Sequence, residues 1–460
     1  MTITTKKGFN LVIDIIKDIK KSAFYGDTAK IIMGTTIAQI LSIILIPITS
    51  RLYGPVYYGE FGVFTAAINS VNGLVCLGLI SAIVSPEDDE EASVIYKICL
   101  MSCSTFAIVI ILITTLLEPY FHVIEVSANY SWICGLMGIF MLFNNWATMS
   151  STWGNRKKQY HLLMFNPIIS SVVNFLTAFS LGMLGYKEYG LIVGAILSQV
   201  AVLIHLLLWI RPFRSHPRWT DLIKTIKKYK DFPKYQMPSN FLQGFGGQLP
   251  IIIMSIYFGT EFVGQYNMGQ KLLYVPITII GSAMGQVHFK QATDLVNNGQ
   301  DIGAFSYKVI RSILLVAFVP LLACAIFGES IFEIFLGSQW TSAGIISQIR
   351  SYEFLFVSMY FSVSYILVVL KRQKMNLVYT ISLLIWNNLA VLIGGSVFNN
   401  SYTAVVTLSI GGIILNFLFL AYAFSQTALG MKKYLKLIVT ASVLFMICAV
   451  AGNMITHFSF

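Results

Sequence analysis

The sequence predicts an all-α polytopic membrane protein, built as two six-helix lobes related by a parallel repeat, with about 12–13 transmembrane helices. Three observations predict it. Of 460 residues, 56% are hydrophobic and only 11% charged, with a mean hydropathy of +0.73. Soluble domains average about 25% charged residues, so this chain could not cover a water-facing surface. Its apolar runs are roughly 20 residues long without strict alternation, the length of a helical span and too long for a barrel strand. A single long hydrophilic stretch, residues 211–236, falls between two sets of spans.

Each element follows in order. Residues 9–23 alternate Ile, Leu and Val with Lys and Asp, so that Phe9, Val12, Ile16 and Ile19 share one face. With Lys6, Lys7, Lys17, Lys20 and Lys21 nearby, residues 1–29 read as an amphipathic cytoplasmic segment on an anionic leaflet, with no signal peptide. The N-terminal lobe, residues 30–210, carries expected spans at 31–53, 57–85, 95–117, 130–153, 162–184 and 189–210. The basic connector, 211–236, contains Arg-Pro, His-Pro and Phe-Pro steps and a run of lysines. The C-terminal lobe, 237–425, carries expected spans at 237–258, 262–287, 307–327, 343–370, 377–397 and 402–424, and 426–460 adds an extra helix at 435–455.

The charge of +11 is sorted by loop. Arg156 to Lys158, the connector, Lys290, Lys371 to Lys374 and Lys432–Lys433 fall on one side. The alternate loops hold Glu118, Glu125, Glu261, Glu329 and Glu333, with Lys187 as their one clear base. The excess marks the cytoplasmic side and puts the N-terminus there. No basic–aromatic patch accompanies the charge, so nucleic acid is not an expected partner. The six cysteines lie in apolar segments without ligand spacing, which reads as packing and gives no metal site.

No enzyme motif is present: no phosphate-binding loop, no His-Glu-x-x-His, no nucleophile elbow. The short outer loops leave no room for a catalytic acceptor site, so the chain reads as a non-enzyme without cofactors. The informative residues are charges inside spans, which are costly there and tend to face a cavity. Lys271 lies about nine residues past an external turn, hence about 14 Å deep. Arg350 and Glu353 sit at i, i+3 in one span and can pair with each other or serve the cavity. Arg51 and Glu60 flank the first external turn. Asn69, Asn72, Asn145, Gln243 and other amides within spans suggest a polar seam.

Two turn motifs repeat. Gly54 to Phe61 and Gly259 to Tyr266 both read Gly-x4-Gly-x-aromatic at the same place in each half. The stretch Arg51-Leu-Tyr-Gly-Pro-x-x-Tyr58-Gly59-x-Phe61-Gly62, followed by Ala82-Ile-Val-Ser-Pro-Glu-Asp-Asp-Glu-Glu-Ala92, resembles the N-terminal signature of bacterial oligosaccharide flippases of the Wzx type. Phe258-Gly259, Val263-Gly264-x-Tyr266 and Pro276 are similar to the same family, part of the multidrug/oligosaccharidyl-lipid/polysaccharide exporter superfamily. The resemblance implies translocation of an undecaprenyl-pyrophosphate-linked oligosaccharide across the bacterial inner membrane by alternating access, for O-antigen, capsule or exopolysaccharide assembly. It implies a lipid-linked oligosaccharide and membrane lipids as partners, with polysaccharide polymerase and chain-length proteins beside them. Lys271, Arg350 and Arg51 would supply a positive field for the head group, and Glu60 and Glu353 would balance it or couple to an ion. A multidrug exporter of the same superfamily, or a membrane polymerase or ligase, is the alternative.

Overall fold

The computed structural model describes residues 23–117, 130–210 and 218–458, and these are helical nearly throughout. Residues 9–22 of the amphipathic segment expected at 9–23, the loop glutamates Glu118 and Glu125, and the start of the connector, 211–217, lie outside the described residues. Among the described residues, twelve helices of ten residues or more follow one another: α1 Ala23–Val75, α2 Asp89–Leu117, α3 Tyr130–Arg156, α4 Tyr160–Met183, α5 Lys187–Trp209, α6 Trp219–Lys228, α7 Met237–Asn297, α8 Gly303–Leu336, α9 Thr341–Val363, α10 Gln373–Leu392, α11 Ser401–Ser425 and α12 Gly430–Phe458. Among the described residues, ten helical segments are long and apolar enough to cross a membrane. This is a multi-pass membrane protein.

Two of those segments are double length, and the expected span at 130–153, helical as α3, is not among the ten, which is why ten stand where thirteen spans were expected. α1 and α7 each contain two expected spans, joined at a glycine of positive φ: Gly54 at φ 73°, ψ 176°, and Gly259 at φ 79°, ψ 169°. Only glycine takes that conformation cheaply. The two turns that match in sequence therefore match in backbone geometry as well. They also pack reciprocally. A Cβ on Gly59 would fall 1.7 Å from the Thr260 carbonyl oxygen, and one on Gly264 would fall 1.9 Å from that of Pro55. Each segment lays its second glycine on the residue that follows the first glycine of the other.

Two expected boundaries move. The span expected to run to residue 85 ends at Val75, because Leu77 (φ 54°) and Gly78 (φ 70°) turn the chain before a short 3-10 stretch, Ser81–Val84. The span expected at 343–370 breaks after Val363, and a single turn, Ile366–Val369, completes it.

The chain packs as two compact units, divided at Gly264/Gln265 within α7. The first unit is built around Ile68, Leu79, Tyr96, Met141, Trp153 and Leu206. The second is built around Ile310, Phe354, Leu420, Phe424, Tyr434 and Phe445. The outward faces are apolar too. On α1, Met33, Ile37, Ile40, Ile44 and Ile48 form an exposed stripe at helical spacing, and Leu377, Ile381, Ile385 and Leu389 do the same on α10. Such stripes fit a hydrocarbon solvent, in which helices satisfy their own backbone.

Outside the spans, the amphipathic α6 packs Leu222 and Thr225 inward. Lys228 of α6 pairs with Glu91 of α2, and that hydrogen bond holds the Lys228 ammonium above its ordinary range.

Candidate functional site

The first unit holds an open polar cavity of about 640 Å³. Its construction begins with two glycines. A Cβ on Gly73 of α1 would lie 2.4 Å from the Phe241 nitrogen, and one on Gly244 of α7 would lie 2.8 Å from the Asn69 carbonyl oxygen. Small residues let helix backbones approach this closely. The approach sets Asn69 and Asn72, one turn apart on α1, beside Asn240 and Gln243, one turn apart on α7. α3 supplies Asn145, Thr152 and Asn155, and Gln236 closes the lining ahead of α7.

The lining is held in place from behind. Buried Asn145 donates to the Met141 carbonyl (2.9 Å) and to Asn72 Oδ1 (2.7 Å). Gln236 donates to Asn240 Oδ1 at 2.8 Å. Arg156, at the end of α3, fixes the loop that carries the lining residues Ile80, Ser81 and Val84. Its guanidinium donates to the carbonyls of Ile83, Val84, Pro86 and Glu87 and pairs with Asp89 at 3.2 Å. Sequence reasoning read Arg156 through its charge alone, as a marker of membrane side. Its role in shaping this loop has no linear signal.

The second unit holds a different constellation. Arg350 and Glu353 on α9 are 7% and 5% exposed and form a bidentate pair, Nε to Oε2 and Nη2 to Oε1, both at 2.8 Å. Nη1 donates to the Tyr266 hydroxyl (2.8 Å) and to Gln270 Oε1 (2.9 Å), both on α7. Ser409 donates to Glu353 Oε2 at 3.1 Å. The guanidinium also lies over the rings of Tyr266 and Phe354, at 5.5 and 5.2 Å. The structure thus brings Arg350 and Glu353 together and commits them to each other.

Lys271 stands next to Gln270 on α7, exposed, without a hydrogen-bond or ion-pair partner among the described residues. It is twelve residues past Gly259, about 18 Å along the helix. Arg51 is exposed and Glu60 is buried, on either side of Gly54, and neither is a free charge.

Comparison with known proteins accords with this architecture. The family model for polysaccharide biosynthesis proteins matches residues 48–345. The chain belongs to the polysaccharide biosynthesis protein family. The teichuronic acid biosynthesis protein TuaB of Bacillus subtilis (strain 168) is 21% identical over 192 residues, 41% of this chain, and the match spans only 39% of that relative's length. Among solved structures, the lipid II flippase MurJ in an inward closed conformation superposes with a TM-score of 0.65 at 13% identity, over 92% of this chain and 97% of the other. An inward-facing multidrug resistance transporter of the multidrug and toxin extrusion family gives 0.56 at 12% identity, over 84% and 93%. The fold is therefore the one shared by these two solved structures.

Proposed function

We propose that this family member is a flippase. It carries a polyprenyl-pyrophosphate-linked oligosaccharide from the cytoplasmic to the outer leaflet of a bacterial inner membrane, with its N-terminus in the cytoplasm. The basic loops support that orientation. The family supports a role in polysaccharide assembly, and the fold shared with a lipid II flippase supports a lipid-linked cargo.

The observation that carries the reading is Lys271. A lysine without a partner deep in a span is expensive unless it serves a hydrated path. A sugar-pyrophosphate head group is polar and anionic, and its polyprenyl tail can stay in lipid. Lys271 supplies the cation that meets the pyrophosphate. Arg51 adds to the positive field near the outer end, with Glu60 as its counter-charge. Arg350 and Glu353 act as a rigid neutral pair that holds Tyr266 and Gln270 beside Lys271. A drug exporter for organic cations would need an available carboxylate at this depth, and Glu353 is already bound by Arg350.

The test is export in cells that lack their own oligosaccharide flippase, with surface polysaccharide as the readout. The wild-type chain restores it. Lys271→Ala at equal expression reduces it at least about tenfold, the loss of one charge-assisted contact, and Lys271→Arg retains most of it. Unchanged export by Lys271→Ala would sink the cationic path.

A further inference from the structure

We propose that the amide-lined cavity of the first unit is a glycan subsite, which holds neutral sugar hydroxyls of the cargo and makes transport selective for the glycan. The proposal rests on the flippase reading above and assigns a second, separate task within it. The cavity answers the sugar, a task apart from the one assigned to Lys271.

The lining chemistry argues for this class of ligand. Among the described residues, no charged side chain lines the cavity. It therefore offers nothing to a pyrophosphate and no carboxylate to a cation. What it offers is carboxamide. Each Asn or Gln presents two N–H donors and a carbonyl with two lone pairs. A sugar ring presents hydroxyls that both donate and accept. Nor does an aromatic ring among the described residues line it, so recognition there is by hydrogen bonding and not by stacking. Its volume falls within the roughly 300–1,000 Å³ of small-molecule sites.

The amides are available, not spent on holding helices together. Asn69 and Gln243 make no side-chain hydrogen bond among the described residues, and no such bond joins Asn69 or Asn72 to Asn240 or Gln243 across the α1–α7 crossing. The bonds that exist lie behind or within one wall, and each leaves capacity. Asn72 accepts through Oδ1 and keeps its NH₂, while Gln236 donates to Asn240 and leaves the Asn240 NH₂ and its own carbonyl unused. Interhelical glue would pair these groups across the crossing. Here they face an open space instead, preorganised by Asn145 and by the close backbone approach at Gly73 and Gly244. Preorganised polar groups of this kind are what confer selectivity on a binding site. The cavity also sits at the Arg156 and Lys228 end of the unit, which the loop charges assign to the cytoplasm, where the glycan would enter.

The experiment measures binding by the full-length protein in lipid nanodiscs to two probes. One is undecaprenyl pyrophosphate; the other is the undecaprenyl-pyrophosphate-linked oligosaccharide extracted from the cells that make it. The wild type is expected to bind the glycan-bearing lipid at least about tenfold tighter than the bare one. Asn69→Ala and Gln243→Ala each weaken the glycan-bearing lipid about two- to tenfold, as loss of one neutral hydrogen bond does. Both leave the bare lipid unchanged, which also reports an intact fold, and the double variant abolishes the preference. Equal wild-type affinity for the two lipids, or variants that follow the wild type with both probes or weaken both alike, would overturn the glycan subsite and leave the lipid-carrier reading standing. A wild type that binds neither lipid would overturn the carrier reading and the subsite with it.

Discussion

Arg350 and Glu353 are three residues apart on one helix and both are buried, and their energetics follow from that. Each charge is costly alone in such a place, and the pair is tolerated because its hydrogen-bonding groups are matched by Tyr266, Gln270 and Ser409. Arg350→Ala should therefore destabilise the protein by about 3–5 kcal/mol, since it strands the Glu353 carboxylate. Replacing both residues with methionine should cost far less. Thermal unfolding of the purified variants in detergent checks the pair; similar losses for the single and double variants would contradict the argument. The i, i+3 spacing made the pairing legible in the sequence, but the choice between pairing and cavity service was not. Three-dimensional neighbours decide it, and Tyr266, Gln270 and Ser409 are 56 to 84 residues away. The same holds for the cavity amides. Asn69, Asn72, Asn145 and Gln243 stood out as polar residues in apolar runs, whereas Asn240 and Asn155 did not, and convergence of all six depends on helix rotation.

At the scale of elements, hydropathy alone placed the helices, because run length against bilayer thickness is a strong constraint. It misplaced their ends wherever a turn stays apolar. Residues 76–84 are as hydrophobic as the span before them, and only the positive φ at Leu77 and Gly78 stops the helix. Gly54 and Gly259 were legible as paired turns. Their reciprocal packing was not, since it requires the two segments to cross. That crossing makes a direct prediction. Gly59→Ala and Gly264→Ala force a methyl group into a backbone carbonyl, and each should lower stability by about 1–3 kcal/mol or more. Gly247→Ala on the same α7 meets nothing within 4 Å and should be neutral. Melting temperatures of the three variants, measured side by side, decide it; a Gly247→Ala loss equal to the others would remove the crossing as the cause.

At the scale of the whole molecule, the two units carry different kinds of polar site. One unit carries uncharged amides around an open cavity, and the other carries a lysine with no partner among the described residues, near a locked ion pair. The family was legible from the Arg51 to Gly62 and Gly259 to Tyr266 stretches, because those turns are local. The site was legible only in part, because it depends on contacts between helices far apart in the chain. The most direct measurement is leaflet exchange by the purified protein in proteoliposomes loaded with a fluorescent undecaprenyl-pyrophosphate-linked oligosaccharide. The account predicts that the wild type makes the inner-leaflet pool accessible to an external lectin, and that Lys271→Ala at equal incorporation does not. Exchange no faster than in protein-free vesicles, or equal exchange by Lys271→Ala, would contradict it.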